Sequence, residues 1–174
     1  MHLINELARP IRLLIMDVDG VLTDGHLYFT ARGEEIKSFH TLDGQGLKML
    51  QSTGVKLAII TGRIAPSVQH RVHNLGIDYY YEGQHDKRQA LADLLAKTDL
   101  TPTCCAYIGD DVVDLPVMIR VGFAIAVPGA PNLVREKAHY VTGTPGGQGA
   151  VREVCDLILR AQGHYESLMD RYLE

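Results

Sequence analysis

The chain has 174 residues, 46% of them hydrophobic, and a net charge of −4 at pH 7. That length suits one domain spanning residues 1–174 with a full core, and the mildly acidic balance gives no footprint for nucleic acid. No stretch approaches the roughly 20 apolar residues of a membrane span, and Met1 to Glu6 lack the charged and apolar regions of a secretion signal, so a soluble, cytoplasmic protein without a membrane partner is expected.

In chain order, the first clear element is the apolar run Ile11–Met16, of strand length, which breaks into Asp17-Val18-Asp19-Gly20. Next comes a predicted β-hairpin over about 26–39. Its strands are Leu27–Thr30 and Glu35–Phe39, its turn is Ala31-Arg32-Gly33, and apolar and polar residues partly alternate. The turn His40-Thr41-Leu42-Asp43-Gly44 leads toward a helix predicted from Gly46 to Thr53. Val55–Ile60 then repeats the first pattern, an apolar strand running into Thr61-Gly62-Arg63, and a helix is predicted from Ala65 to Leu75.

A third helix is predicted from Asp86 to Lys97, with Lys87 in its first turn. The third strand of this kind, Cys105–Ile108, ends in Gly109-Asp110-Asp111. After it come a glycine-rich loop from Val141 to Gly149, read as flexible, an amphipathic helix from Ala150 to Arg160, and a short helix within Gly163–Glu174. The loop lacks the lysine and hydroxyl of a P-loop, which disfavours nucleotide binding. Cys104, Cys105 and Cys155 show no paired metal-ligand spacing and are expected to be buried thiols.

Strands alternating with helices predict an α/β fold, a Rossmann-like and mostly parallel sheet flanked by helices. Ligands of such sheets bind beyond the carboxyl ends of the strands, where the three polar clusters would converge. Strand alternation sends Asp17 and Asp19 the same way. With Asp110 or Asp111 they form an oxygen-rich site suited to hard Mg²⁺. One carboxylate then attacks phosphorus and forms an aspartyl-phosphate, and the other protonates the leaving oxygen and activates water. Thr61 and Lys87 would hold the phosphoryl oxygens where charge accumulates. At Thr61 a helix-capping role is an alternative reading, compatible with binding phosphate at that helix N-terminus.

The order Asp17-Val18-Asp19-Gly20, Thr61-Gly62-Arg63, Lys87, Gly109-Asp110-Asp111 resembles the haloacid dehalogenase superfamily of phosphatases, and the likeness continues through Gly25–Phe29, Phe39-His40 and Gly146–Glu153. Within that superfamily it points to a capless branch acting on phosphorylated keto sugar acids. The resemblance implies Asp17 as nucleophile and Asp19 as acid/base, with Thr61, Gly62 and Lys87 gripping phosphate. It places magnesium on Asp17, Asp110 and the backbone carbonyl of Asp19, and gives Asp111 and Asp114 the task of orienting the metal or Lys87.

The interval from Asp17 to Thr61 is too short for a covering domain, so the hairpin stands in place of a cap. By resemblance such hairpins build the centre of a homotetramer, neighbouring subunits screen each active site, and the C-terminal tail, about 146–174, reaches toward a site. Arg63 and Arg71 are expected on one face of the helix after Thr61, where guanidinium forks suit the carboxylate of a sugar acid. His40, Thr41, Leu42, Asp43 and Gly44 are expected to meet its hydroxyls. The implied substrate is an eight-carbon keto sugar acid phosphate of lipopolysaccharide synthesis, with a nine-carbon acid as alternative. A phospho-receiver or an inactive scaffold is a remote alternative, disfavoured by motif order and by the complete set of catalytic residues.

Overall fold

A computed structural model describes residues 2–173; Met1 and Glu174, the ends of the predicted domain, lie outside the described residues. The elements are α1 (His2–Ala8), β1 (Leu13–Met16), β2 (Tyr28–Phe29), β3 (Glu35–Ile36), α2 (Thr41–Gln51), β4 (Lys56–Ile60), α3 (Pro66–Leu75) and β5 (Tyr79–Tyr81). They continue with α4 (Lys87–Thr98), β6 (Cys105–Gly109), α5 (Leu115–Met118), β7 (Phe123–Ala126), α6 (Asn132–Lys137), β8 (Tyr140–Val141), α7 (Ala150–Ala161) and α8 (Tyr165–Asp170). Among the described residues no helix is long and apolar enough to cross a membrane.

Six strands form one parallel sheet in the order β5-β4-β1-β6-β7-β8. Every residue of β1, β6 and β7 is buried, as expected for strands covered by helices on both faces. In register, Met16 lies opposite Ile59 on one side and Ile108 on the other. The residues that follow, Asp17, Thr61 and Asp110, therefore emerge at one edge of the sheet.

Two expectations change at α2. The helix starts at Thr41 rather than Gly46, because His40 caps it, its Nδ1 accepting from the amide of Leu42 at 3.3 Å. Gly44 and Gly46, poor helix formers, sit inside it because neighbours press close: a Cβ at Gly46 would lie 2.8 Å from Cδ of Arg152 on α7. The predicted turn 40–44 is thus the cap and first turn of a helix.

The hairpin is present but shorter than predicted. Tyr28 pairs with Ile36 and Phe29 with Glu35, antiparallel, and the amide of Gly33 donates to the carbonyl of Thr30 across the turn. The glycine-rich loop is pinned rather than flexible. Glu153 accepts from the amides of Gly143 and Thr144, both at 2.9 Å, and the amide of Gly147 donates to the carbonyl of Val21 at 3.0 Å. Cys105 and Cys155 are buried free thiols, whereas Cys104 is only half-buried. Helices α1, α5 and α6 and strands β5, β7 and β8 are not predicted; the three strands have only three, four and two residues, too few to show a period.

Candidate active site

The turn after β1 is shaped by a glycine. Gly20 has φ +83°, and a Cβ there would overlap the carboxylate of Asp110 arriving from β6. Asp17 is buried and accepts from the amide of Val18 at 2.7 Å. Its Oδ1 lies 3.0 Å from Nζ of Lys87. Lys87, at the start of α4, is 2% exposed, not the solvated first-turn lysine its position suggests. The ammonium also donates to Oδ1 of Asp114 at 2.7 Å and to the Tyr107 hydroxyl at 3.1 Å. That hydroxyl in turn donates to Asp114 Oδ1 at 2.6 Å.

Asp114 is fully occupied. Its Oδ2 accepts from the amides of Asp110 and Asp111 at 2.9 and 3.1 Å, closing the turn that points Asp110 at Asp17. A Cβ at Gly109 would overlap this carboxylate, so the glycine of Gly109-Asp110-Asp111 makes room for it. Asp111 faces the cleft and caps the next turn, its Oδ1 accepting from the amide of Val112 at 2.7 Å.

Burial and the charges of Asp114 push the Asp17 carboxyl up to about 6, with Lys87 opposing. Burial, with Asp17 and Asp114 nearby, pushes Asp110 up to about 7. For Lys87 burial works against the ammonium, but Asp17 and Asp114 outweigh it and its pKa is raised. One oxygen each of Asp17, Asp110 and Asp114 lie within 4.8 Å of one another. Three carboxylates around one ammonium leave surplus negative charge in a half-closed cleft, and oxygen donors of this kind fit a hard divalent cation. With Asp114 committed to protein donors, Asp17 and Asp110 are the side chains free to hold such an ion.

The cleft, about 260 Å³, is lined by Asp17, Asp19, Thr61, Gly62, Arg63, Lys87, Asp110 and Asp111 together with Gln84, His85 and Val113. Thr61 is buried at the end of β4 and does not cap a helix: α3 begins at Pro66 with Ala65 as its cap residue. Arg63 therefore precedes α3, and the shared helix face with Arg71 is not formed. Arg63 Nη2 lies 2.6 Å from Glu35 Oε2, and its Nε 3.8 Å from Asp19 Oδ2.

The other expected substrate contacts lie outside this cleft in the single chain. Arg71 donates to the carbonyl of His40 at 3.1 Å and packs over the Phe39 ring, its centroid 5.6 Å away. Asp43 is buried, and its Oδ1 accepts from the amide of Arg152 at 2.8 Å, bonding to the first turn of α7. Leu42 is half exposed and borders a second groove of about 680 Å³, lined in part by α7. His40 and Thr41 form the cap and first residue of α2, and Gly44 packs against Arg71.

Several contributors were missed from sequence. Tyr107 is the one polar side chain in an otherwise apolar strand, a visible signal. Lys37 and Glu35 reach the cleft from the hairpin: Lys37 pairs with Asp19 and lies 2.5 Å from Glu35. Their alternation with exposed Ile36 is legible, but the target of their shared face is not. Gly146 packs so closely that a Cβ would overlap the carbonyl oxygen of Gly20.

The haloacid dehalogenase-like hydrolase family matches residues 27–122. The 3-deoxy-D-manno-octulosonate 8-phosphate phosphatase of Yersinia pestis is 52% identical over 159 residues, 91% of this chain and 85% of that protein. A crystal structure of the same phosphatase from Moraxella catarrhalis, in complex with a magnesium ion, a phosphate ion and a KDO molecule, is 43% identical and covers 99% of both chains with a TM-score of 0.97. The cobalt-bound phosphatase of Haemophilus influenzae is 42% identical, covering 97% of this chain and 99% of that one, with a TM-score of 0.92.

Proposed function

The chain belongs to the haloacid dehalogenase-like hydrolases, in the family of 3-deoxy-D-manno-octulosonate 8-phosphate phosphatases, and on that footing we propose that it hydrolyses this eight-carbon sugar acid phosphate. It is a phosphomonoester hydrolase. The single observation that carries the chemistry is the buried Lys87 ammonium held between Asp17 and Asp114, with Asp17, Lys87 and Asp110 lining one cleft. An anionic nucleophile approaches a phosphate dianion only where cationic charge compensates both.

Asp17 attacks phosphorus, the ester P–O bond breaks, and its electron pair leaves on the sugar oxygen, which takes a proton from Asp19. Water then attacks the aspartyl-phosphate while Asp19 accepts its proton; the acyl P–O bond breaks, releasing phosphate and restoring Asp17. Lys87 and Thr61, with the amide of Gly62, hold the phosphoryl oxygens. Asp17, Asp110 and the carbonyl of Asp19 would hold Mg²⁺, which supplies charge neutralisation for the incoming phosphate. Asp114 and Asp111 fix the turn that aims Asp110.

Leu27, Tyr28, Phe29 and Ile36 are exposed on the hairpin, which supports self-assembly, a homotetramer by resemblance. In such an assembly Arg63, Arg71 and residues 40–44 (His40, Thr41, Leu42, Asp43, Gly44) would select the sugar acid, Arg71 from a neighbouring subunit. The tail 146–174 would border the same site. The setting is lipopolysaccharide sugar synthesis in the cytoplasm.

Phosphate release from eight-carbon and nine-carbon keto sugar acid phosphates and from simple sugar phosphates, with and without Mg²⁺, tests this reading. A strong Mg²⁺-dependent preference for the eight-carbon acid is expected. Preference for the nine-carbon acid would change the substrate and keep the chemistry, whereas no release from any of them would overturn the enzyme reading and restore a receiver or scaffold.

A further inference from the structure

Asp17 and Asp19 are two residues apart, yet they are held by different parts of the molecule. Asp17 is fixed by the amide of Val18 and by Lys87, groups of the sheet edge. Among the described residues, the close partner of the Asp19 carboxylate is Nζ of Lys37, which donates to its Oδ1, while Arg63 stands off at 3.8 Å. The Lys37 side chain is 1% exposed although Ile36 beside it is open to solvent.

Glu35, on the same face of the hairpin, lies 2.5 Å from Lys37 through Oε1 and 2.6 Å from Arg63 through Oε2. Asp19, Lys37, Glu35 and Arg63 thus close a ring of alternating charge across three segments of chain. An ammonium withdrawn from water keeps its place only when anions surround it. Two carboxylates do so here, which fixes the head group and, through it, the direction of Asp19.

We propose that Lys37 is the positioning residue of Asp19: the hairpin, rather than the catalytic turn, aims the carboxylate that exchanges a proton with the leaving oxygen and with water. This rests on the acid/base role given to Asp19 above. It makes the order of the hairpin a condition of proton transfer, not only of substrate choice.

The test uses the full-length protein with Mg²⁺ and a series of substituted phenyl phosphates whose leaving groups differ in basicity and carry no sugar contacts. The readout is kcat/KM, which reports the step in which the ester oxygen leaves. With Asp19 aimed, the wild type shows a shallow dependence on leaving-group basicity. Lys37→Met is expected to lose roughly 10²-fold on the most basic leaving group and only a few-fold on p-nitrophenyl phosphate, since general acid catalysis matters least there. Asp19→Asn should show the same steepening, and Lys37→Arg should restore part of the shallow series.

A uniform loss across the series in Lys37→Met, beside a steep series in Asp19→Asn, would overturn the positioning role and leave Asp19 as acid. A shallow series in Asp19→Asn would overturn the acid/base reading itself, and the proposal with it. Lys37→Gln replaces Lys37→Met, with the same two readings, if the methionine variant fails to fold.

Discussion

Around Lys87 the carboxylates of Asp17 and Asp114 are paired and buried within the chain that carries them, whereas the hairpin turns its largest apolar side chains outward, Phe29 at 58% exposure. The two regions meet at the same cleft, one lining it with Asp17 and Lys87, the other pairing Lys37 and Glu35 with its lining residues Asp19 and Arg63. The difference separates two tasks. Phosphoryl chemistry needs charges fixed in a low-dielectric setting, which a parallel sheet with buried strands supplies from within one domain. Two short antiparallel strands have too little partnered surface to be stable by themselves, so this region suits a role completed by contact with something else.

The sharpest way to break the contrast is to empty the rigid side of it. Lys87→Met leaves Asp17 and Asp114 buried without their cation and is expected to cost about 3–5 kcal/mol, together with turnover. The shift in denaturant midpoint measures it, and a change below the range of ordinary surface substitutions would mean that the cluster is solvated. A smaller effect is expected where the glycine-rich loop supports the catalytic turn. Gly146→Ala would press its Cβ onto the Gly20 carbonyl. Overpacking of that kind costs about 1–3 kcal/mol, and displacing the turn should lower kcat/KM by roughly 10²-fold. Gly129, with open space around it, is the control, and Gly129→Ala should do neither.

pH sharpens the same point. The carboxyls of Asp17 and Asp110 are raised to about 6 and 7 in the fold from an ordinary 3.8. The folded protein therefore binds more protons than the unfolded chain between these values. Their contribution to stability is fully present below pH 3.8 and is lost as pH rises through 6 to 7. Melting of the metal-free protein should fall by several degrees from pH 5 to 8, and Mg²⁺ should remove most of the fall by binding the ionised pair. Melting scans with and without chelator decide it; equal slopes would contradict a cation at these carboxylates. The smallest effect belongs to the hairpin. Phe29→Ser should change the stability of one chain by no more than about 0.5 kcal/mol, while lowering the mass of the assembly in solution. Unchanged mass would detach the hairpin from self-association.

The sheet edge was legible because each of three strands is an apolar run that breaks abruptly into acid, hydroxyl or glycine, a signal that survives without tertiary information. Short strands such as β8, Tyr140–Val141, carry too few residues to show a period. Gly44 and Gly46 hid the start of α2, because their use is close helix packing and propensity counts only against them. Asp43 reads as a substrate ligand in a polar turn, and nothing local shows that its carboxylate also accepts from the amide of Arg152, more than a hundred residues away. Lys37 was missed for the same reason. Nothing local to a hairpin says that one side chain reaches back to Asp19, and such long-range charge pairs appear only once the chain is folded.

Asp17, delivered by the turn after β1, is the proposed nucleophile, and acid quenching during turnover tests that role. The protein is mixed with Mg²⁺ and the eight-carbon acid phosphate, quenched, reduced with borohydride to convert an aspartyl-phosphate to homoserine, and mapped by peptide mass spectrometry. Homoserine at position 17 alone, absent in Asp17→Asn, is the expected result. Phosphate release with no modification at Asp17, or with the mark on another aspartate, would contradict it.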